Sequence, residues 1–413
     1  MKLQPNHHPT VRPYVVSSSY ASLAARPKRV PTFLLTCVLL AASACRAPEP
    51  TSQPTSGPAA SRPATADPRM TSVDTLRSAP ADYAKKRLGS KEFPTPPEAK
   101  YLKGLKICLD PGHGGDAHKA GFKRGPTGVR EAEINLRVGQ YLRDLLVASG
   151  AEVKLTRESD VDSELAVRAN VANEWGADLF ISLHHNAIDK PETNYTTVWY
   201  HADVDHSPAG LDLARHLCAG LYDALALSQI TAVPLKSDQL MYKTGFGVLR
   251  AAKVPACLTE TSFYTNPDEE QRLRDPKYNL REAYGLYRAL ARYAFGGLPR
   301  VKLLNPSDGV IRTASTGGAI VEFELDDGLR GRKAWGHERQ MILSDSVVVT
   351  LDGGRISHEF TNEGYRLRAM LPPNLAPGEH RVRVMFANIN KHSPLNPDWV
   401  IRVEAGVQLS LRG

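Results

Sequence analysis

Between residues 101 and 298, short apolar runs alternate with amphipathic helical patterns, and this alternation limits the folds open to the chain. Strands and helices that take turns are typical of an α/β domain, because each helix carries the chain back to start another parallel strand. We therefore predict a mostly parallel sheet flanked by helices. The predicted strands are 105–109, 152–156, 179–183, 196–200 and 254–259, and the predicted helices are 131–149, 164–175, 208–226 and 280–295.

The first predicted strand ends in a turn that carries a histidine. Its sequence is Lys106-Ile-Cys-Leu-Asp-Pro-Gly-His-Gly-Gly115. The proline and the glycines allow a sharp bend and leave room beside the imidazole of His113 for an ion or a substrate. His184 ends a second apolar strand and Glu260 ends a third. All three side chains are therefore predicted at the carboxyl ends of strands, where open α/β sheets form their sites.

Glu131, which opens the first long helix, completes a candidate set of metal ligands with His113 and His184. Two histidines and one carboxylate with an open position are the ligands of many catalytic zinc sites. Residue type and spacing leave an alternative open, because no short motif fixes the three residues on one surface. Glu131 could be a helix N-terminal carboxylate stabilised by the helix dipole, and the histidines two ordinary members of a set of 13.

Four sequence blocks occur in an order that resembles a known enzyme family. They are Leu109-Asp-Pro-Gly-His-Gly-Gly115, Glu131-Ala-Glu-Ile-Asn-Leu136, Ile181-Ser-Leu-His-His-Asn-Ala187 and Leu258-Thr-Glu-Thr-Ser-Phe-Tyr-Thr-Asn-Pro267. The chain from about residue 104 to 296 thus resembles the zinc-dependent N-acetylmuramoyl-L-alanine amidases of bacterial cell walls. Shorter connecting segments also resemble that family, namely Leu155-Thr-Arg157 with Asp160, Arg168-Ala-Asn170 and Val248-Leu-Arg250.

The resemblance implies roles for four residues. His113, Glu131 and His184 would bind Zn²⁺. Glu260 would be the catalytic glutamate, which takes a proton from water and returns it to the departing amine. The bond cleaved in that family joins the lactyl group of N-acetylmuramic acid to the L-alanine of the stem peptide.

Neighbouring residues compete for two of the ligand positions. His185 stands where the family usually has a small residue, and Glu133 is two residues beyond Glu131. The resemblance favours His184 and Glu131. Residues two apart on a helix point about 200° apart, so Glu131 and Glu133 cannot both face one ion.

Asn186 and Arg250 are further candidates for substrate binding. Asn186 could orient a ligand or a substrate carbonyl, or could be a turn residue. Arg250 could pair with a substrate carboxylate or simply with Glu260. The sequence does not decide between these readings.

Residues 1–45 have the features of an export signal. Arg26-Pro-Lys-Arg29 is cationic, and the apolar run from Pro31 to Leu40 is shorter than the roughly 20 residues that span a bilayer. Ala42-Ser-Ala-Cys45 resembles a bacterial lipoprotein box, so we expect lipidation of Cys45, with ordinary signal cleavage as the alternative. Residues 46–100, rich in Pro, Ser and Ala, are predicted to be a disordered tether and connector.

The formal net charge of +8 does not indicate a nucleic-acid partner. Residues 1–44 carry five of the cationic residues and no acidic one, so the rest of the chain retains a charge of only +3. Outside the leader, Cys108, Cys218 and Cys257 are widely spaced. They indicate neither a disulfide framework nor a cysteine zinc motif, and we interpret them as buried apolar residues.

From residue 303 to 405 the pattern changes to short runs with a period of two, separated by turn residues. The runs lie at 319–325, 347–353, 365–371 and 380–386. This pattern predicts a β-sandwich, and it is similar to the immunoglobulin-like modules of exported proteins. Catalytic residue types do not collect in it, so a binding or spacing role is expected.

The sequence therefore predicts an exported enzyme of the periplasm or cell envelope, held at a membrane through Cys45. Its expected partner is peptidoglycan, and a regulatory protein partner is left open. Two alternatives remain, namely an extracellular zinc peptidase, and a non-catalytic peptidoglycan-binding or regulatory lipoprotein on the same fold.

Overall fold

The computed structural model describes residues 92–202, 206, 208–312, 319–330, 341–373 and 375–404. The expected export signal, Cys45 and the tether up to residue 91 lie outside the described residues. Within the described ranges, every helix is too short or too polar to cross a membrane.

A six-stranded sheet forms the centre of the first half of the structure. Strand β1 pairs in parallel with β2 and β3, and β3 pairs in parallel with β6. The edge is antiparallel, because β4 runs against β6 and β5 follows the direction of β4. The sheet order is β2-β1-β3-β6-β4-β5, with β1 at Lys106–Pro111, β2 at Glu152–Leu155, β3 at Leu179–Asn186, β4 at Thr197–Tyr200, β5 at Leu235–Ser237 and β6 at Ala256–Phe263.

Helices cover both faces of this sheet, as predicted. Their bounds are α1 Glu131–Ala148, α2 Leu165–Trp175, α3 Ala209–Leu225, α4 Gly247–Ala251, α5 Pro267–Arg274 and α6 Pro276–Phe295, and short 3₁₀ turns occur at Pro97–Leu102, Asp238–Leu240, Ser344–Ser346 and Glu363–Tyr365. Ile107 and Leu109 of β1 join one apolar core with α1, α3 and α6. Cys108, between them, joins a second core with α2 and α4. A strand buried on both faces needs a continuous apolar run, which is the signal that the sequence carries.

Two elements differ from the predicted boundaries in ways that matter for the site. Strand β3 continues to Asn186, so His184 and His185 lie inside the strand rather than after it. Helix α6 begins at Pro276, before the predicted start at 280, because the side chain of Asp275 accepts a hydrogen bond from the amide of Lys277 (2.9 Å) and caps the helix. The preceding helix α5 was not predicted, since its sequence is almost entirely polar.

The second half of the structure is a β-sandwich. Its five-stranded sheet has the order β11-β10-β14-β15-β8 and its four-stranded sheet β12-β13-β9-β7. Alternate residues of the strands, such as Val321, Phe323 and Leu325, are buried in a core that both sheets share. The strands are β7 Arg300–Asn305, β8 Val310–Ile311, β9 Ile320–Asp326, β10 Val348–Leu351, β11 Gly354–Arg355, β12 His358–Thr361, β13 Arg366–Met370, β14 Gly378–Met385 and β15 Asp398–Val403.

Polar contacts join helix α3 to the loop between β14 and β15. The Nε2 atoms of His216 and His392 are 3.0 Å apart, and the amide of Ser393 donates to Asp212 (2.8 Å). His392 also donates from Nδ1 to the carbonyl of Gly297 (2.8 Å), so its Nε2 is the acceptor for His216. The sandwich is thus attached to the α/β part through a specific hydrogen-bonded pair of imidazoles.

The three cysteines in the described part of the chain are buried and unpaired. Burial raises the pKa of the Cys218 thiol to about 11 and that of Cys108 to about 12. A thiol with such a pKa is a poor nucleophile and a poor metal ligand at neutral pH. The cysteines therefore serve as apolar packing residues, as predicted.

Candidate metal centre

Side chains from three neighbouring strands meet at the carboxyl edge of the sheet. His184 of β3 is in register with Glu260 of β6, so their side chains point to the same face. His113 follows the end of β1, the other neighbour of β3. His113, Glu131 and Glu260 line a cavity of about 160 Å³, and the ring of His184 lies beside Gly112 and contacts Glu131. This is the sheet edge at which the sequence placed the site.

The carboxylate of Glu131 lies between the two imidazoles. Its Oε1 atom is 3.1 Å from Nε2 of His113 and 3.0 Å from Nδ1 of His184. The two rings are perpendicular, with centroids 4.6 Å apart. All three ligand atoms lie within 4.8 Å of one another, which is close enough to hold one ion.

Glu131 occupies this position because it is the first residue of helix α1. Its amide donates to the carbonyl of Lys123 (3.1 Å), which fixes the start of the helix beside the cavity. Glu133 points elsewhere, since its carboxylate accepts from Arg130 at 3.0 Å. The structure therefore brings Glu131, and not Glu133, to the two histidines.

Two buried arginines hold the turn that carries His113. Arg157 donates to the carbonyl of Pro111 (2.7 Å) and to that of Gly112 (2.9 Å). Arg168 donates to the carbonyl of His113 (2.9 Å). His113 has a φ of 60°, which is costly for a residue with a Cβ and persists only where the surroundings hold it. The connecting segments found in the sequence thus supply the supports of this turn.

Gly112 makes room for the ring of His184. A Cβ at this position would lie 2.2 Å from Cε1 and from Nε2 of the imidazole, and its backbone has no left-handed conformation to favour glycine. The requirement for glycine here is therefore one of space beside the ring and not of backbone freedom.

The surroundings of Glu131 and Glu260 shift the pKa values of these two carboxyl groups in opposite directions. Burial acts to raise the pKa of Glu131, but hydrogen bonds and charge from His113 and His184 hold it well below the ordinary value. Burial and the nearby charge of Glu131 raise the pKa of Glu260 well above its ordinary value. The Oε2 atom of Glu260 is shielded from solvent and has no hydrogen-bond partner among the described residues.

Lys123 also lines the cavity, and sequence reasoning did not identify it. Its Nζ atom is 3.5 Å from Oε2 of Glu131, and its charge acts to lower the pKa of Glu260. Its φ of 46° is a second left-handed conformation at the rim of the site. Lys123 stands 8 residues before Glu131, in a loop outside the helices and strands, so the sequence carried no local signal for it.

The remaining candidates fall in different places. Asn186 lines the cavity, and its side chain accepts from the amide of Ala187 (2.8 Å). Arg250 does not line the cavity, since its guanidinium donates to the carbonyl of Thr244 (2.7 Å). An ion pair between Arg250 and Glu260, one of the two alternatives for Arg250, is therefore absent from the contacts of the described residues.

The donor set suits a divalent transition metal. Two imidazole nitrogens and a carboxylate oxygen are ligand atoms that zinc prefers, and catalytic zinc sites keep further positions open. The Oε2 atom of Glu260, beside the triad, is shielded from solvent and has no hydrogen-bond partner among the described residues. Burying such an oxygen costs free energy unless a further group, such as a bound water, donates a hydrogen bond to it. The residues present thus fit a zinc ion accompanied by water or substrate.

An α/β sheet with a His–Glu–His triad and a nearby glutamate at its carboxyl edge defines a class of candidate metallohydrolases. Comparison with known proteins identifies the family. A family model described as N-acetylmuramoyl-L-alanine amidase matches residues 107–292. The germination-specific N-acetylmuramoyl-L-alanine amidase of Bacillus subtilis is 30% identical over 207 residues, which cover 46% of this chain and 81% of that protein. The chain belongs to the N-acetylmuramoyl-L-alanine amidase family.

Other relatives match over the same region. N-acetylmuramoyl-L-alanine amidase LytC of Bacillus subtilis is 30% identical over 191 residues, or 46% of this chain and 36% of LytC. The solved structure of N-acetylmuramoyl-L-alanine amidase AmiC2 of Nostoc punctiforme has 27% identity and a TM-score of 0.40, over 46% of this chain and 98% of that one. The chain thus spans about a third of LytC, and the family match is confined to the α/β part.

Proposed function

We propose that this protein is a zinc-dependent hydrolase that cleaves the amide between N-acetylmuramic acid and the L-alanine of the peptidoglycan stem peptide. Membership of the amidase family supports the substrate class. The observation that carries the proposal is the Oε2 atom of Glu260, which has no hydrogen-bond partner among the described residues, on a residue that is in register with His184 and lines the same cavity as His113 and Glu131.

His113, Glu131 and His184 would hold the metal. When bound, zinc supplies a Lewis acid that activates water and polarises an amide carbonyl. The supports of His113 and the gap at Gly112 keep the two imidazoles in place before the ion arrives. Such preorganisation matters because a ligand set that must rearrange loses affinity for the metal.

Glu260 would move the proton. A carboxylate is a base only when it is unprotonated and within reach of the water, and Glu260 has one oxygen with no competing protein donor. We propose that it accepts a proton from the attacking water and delivers it to the amine that departs. The nearby ammonium of Lys123 would favour the ionised form of Glu260 and face the negative charge that develops on the carbonyl oxygen.

Further parts of the proposal concern the rest of the chain. We propose that residues 1–45 direct export, that Cys45 carries a lipid anchor and that residues 46–91 tether the α/β domain to the cell envelope. The predicted connector at 92–100 is instead part of that domain, because Phe93 and Ala99 are buried in its core. The sandwich of residues 303–405 is proposed to be immunoglobulin-like and to bind the wall or a partner. Export would bring the enzyme to peptidoglycan, its proposed substrate.

The test is digestion of purified peptidoglycan by the full chain produced without its leader, compared with Glu260→Gln and a chelator-treated sample. Stem peptides with a free L-alanine amino terminus are the expected product, and both treatments should abolish it. Glu133→Gln is the matched control, because it removes a neighbouring carboxylate that lies outside the cavity, and it should retain most of the activity.

The other outcomes separate the remaining candidate functions. Zinc binding with cleavage of peptide bonds, and no release of stem peptides, would identify a peptidase. Binding to peptidoglycan with neither zinc nor product would identify a non-catalytic binding protein. Full activity of Glu260→Gln would refute the role given to that residue.

A further inference from the structure

His185 lies directly behind the triad and is almost completely buried, with 2% of its surface exposed. Strand β3 alternates its side chains between the two faces of the sheet, so His185 points away from His184 and towards helices α1 and α6. There it contacts Asn135 of α1 through Nδ1 (2.9 Å) and Glu282 of α6 through Nε2 (3.1 Å). A histidine at this position is also the departure from the family pattern seen in the sequence.

The direction of each hydrogen bond in this group follows from the partners. The amide nitrogen of Asn135 is 3.3 Å from the carbonyl oxygen of Gly112 and 3.4 Å from Oε1 of Glu131. Both partners are acceptors only, so the amide of Asn135 must present its NH₂ group to them. Its oxygen then faces Nδ1 of His185, which must be the donor. On the other side of the ring, Nε2 lies 3.1 Å from the carboxylate of Glu282, which holds the imidazole in this orientation.

We propose that His185 and Glu282 form a positioning device for the metal ligand Glu131, acting through Asn135. The inference rests on the proposed function, because it gives Glu131 the role of ligand. Asn135 holds Glu131 and the carbonyl of Gly112 at once, and so ties the helix that bears one ligand to the turn that leads to another. The backbone amide of His185 also donates to Oε1 of Glu131 (3.3 Å).

Because His185, Asn135 and Glu282 are all buried, removing any one of these side chains should disturb the hydrogen bonds of the other two. Asn135 and Glu282 are also buried, with 0% and 1% exposure, so removing one side chain leaves its buried partners without their protein hydrogen bond. Without His185, the amide of Asn135 is free to rotate and to turn its oxygen towards Glu131, where it repels the carboxylate. Partners of this kind behind metal ligands typically change metal affinity by about 10- to 100-fold.

The first experiment measures zinc affinity by competition with a chromophoric chelator, on the full chain without its leader. We expect His185→Ala and Asn135→Ala each to weaken zinc binding by at least tenfold. The double variant should be little worse than either single variant, because both changes break one connected group. His392→Ala is the matched control, since it removes another buried, hydrogen-bonded histidine that does not line the cavity, and it should leave zinc affinity within twofold of the wild type.

A second measurement separates positioning from general destabilisation. With zinc saturating, His185→Ala should lower kcat while KM for a muropeptide changes by less than threefold, whereas His392→Ala should change neither. Should His185→Ala fail to fold, Glu282→Gln, which keeps the shape of the side chain and removes its charge, should weaken zinc binding at least threefold.

Two results would overturn the inference. One is zinc affinity within twofold of the wild type in folded His185→Ala, or in Glu282→Gln if that variant has to be used. The other is strict additivity of the losses in the double variant. Failure of the proposed function gives a different result, because the wild type itself would then bind no zinc or release no stem peptide.

Discussion

Replacing Gly112 by alanine is expected to displace His184 and weaken the metal site without unfolding the protein. The added Cβ would lie 2.2 Å from two atoms of the imidazole, whereas ordinary contacts begin near 3.4 Å. The ring must therefore retreat by more than 1 Å. Its Nδ1 atom is 3.0 Å from the carboxylate of Glu131, and a shift of this size changes the arrangement of the two candidate ligands.

The magnitude can be bounded from the cost of overpacking. An extra methyl group in a well-packed interior typically costs about 1–3 kcal/mol. If the metal-bound arrangement bears that cost, zinc affinity falls by roughly 5- to 150-fold. A larger loss of zinc affinity would mean that the ring of His184 leaves the site. A smaller loss would mean that the backbone at position 112 moves and the ring stays in place.

The assay is zinc affinity by chelator competition, with thermal unfolding to confirm that the variant is folded. Gly354→Ala is a suitable control, because a Cβ there meets only the carbonyl oxygen of Leu351 at 3.5 Å, in the sandwich. Zinc affinity of Gly112→Ala within twofold of that control would refute the argument that the gap at Gly112 positions His184.

Three further predictions concern the surroundings of the site. Lys123→Met should lower kcat/KM by about tenfold, or about 1.4 kcal/mol, with unchanged zinc content, because the charge proposed to face the carbonyl oxygen is lost. Lys123→Arg keeps the charge and should retain most of the activity. Steady-state kinetics on a muropeptide would contradict this explanation if both variants lost the same activity. Glu270→Ala should reduce the free energy of unfolding, measured by urea titration, by about 2–3 kcal/mol. The reason is that the carboxylate accepts hydrogen bonds from the amides of Thr127 (2.9 Å) and Val129 (3.0 Å). A reduction below about 0.5 kcal/mol would contradict this prediction. Burial and the neighbouring His392 lower the pKa of His216 from 6.5 to about 4. As the pH drops from 6.5 towards 4, the unfolded chain takes up the proton first, so the free energy of unfolding should fall by on the order of 3 kcal/mol. His216→Gln should show a shallower decline with pH, and the same decline in both proteins would contradict the role given to His216.

The order of strands and helices could be predicted because the signal is local. A strand such as β1 needs apolar residues on both faces, and helix α1 repeats its apolar residues at helical spacing, whatever the rest of the chain does. The same locality explains the failures. Helix α5 is stabilised by capping and by contacts of its buried glutamates, which leave no apolar periodicity to detect.

The location of the candidate site could also be predicted, since residues that end parallel strands meet at one edge of a sheet. His113, His184 and Glu260 are brought together for that reason. The register between β3 and β6, which pairs His184 with Glu260, depends on backbone hydrogen bonds between segments more than 70 residues apart and has no local signature.

The sequence by itself thus determined the elements, the carboxyl edge at which a site would form and the residue types able to bind a metal. Only the tertiary structure decided that His184 faces Glu131 and His185 faces Glu282. The alternation of side chains along a strand predicts that two adjacent histidines lie on opposite faces of the sheet, but it does not say which face borders the cavity. The tertiary structure also decided that Lys123 lines the cavity and Arg250 does not. Such choices depend on the packing of distant elements against one another, and the spacing of residues along the chain does not encode it.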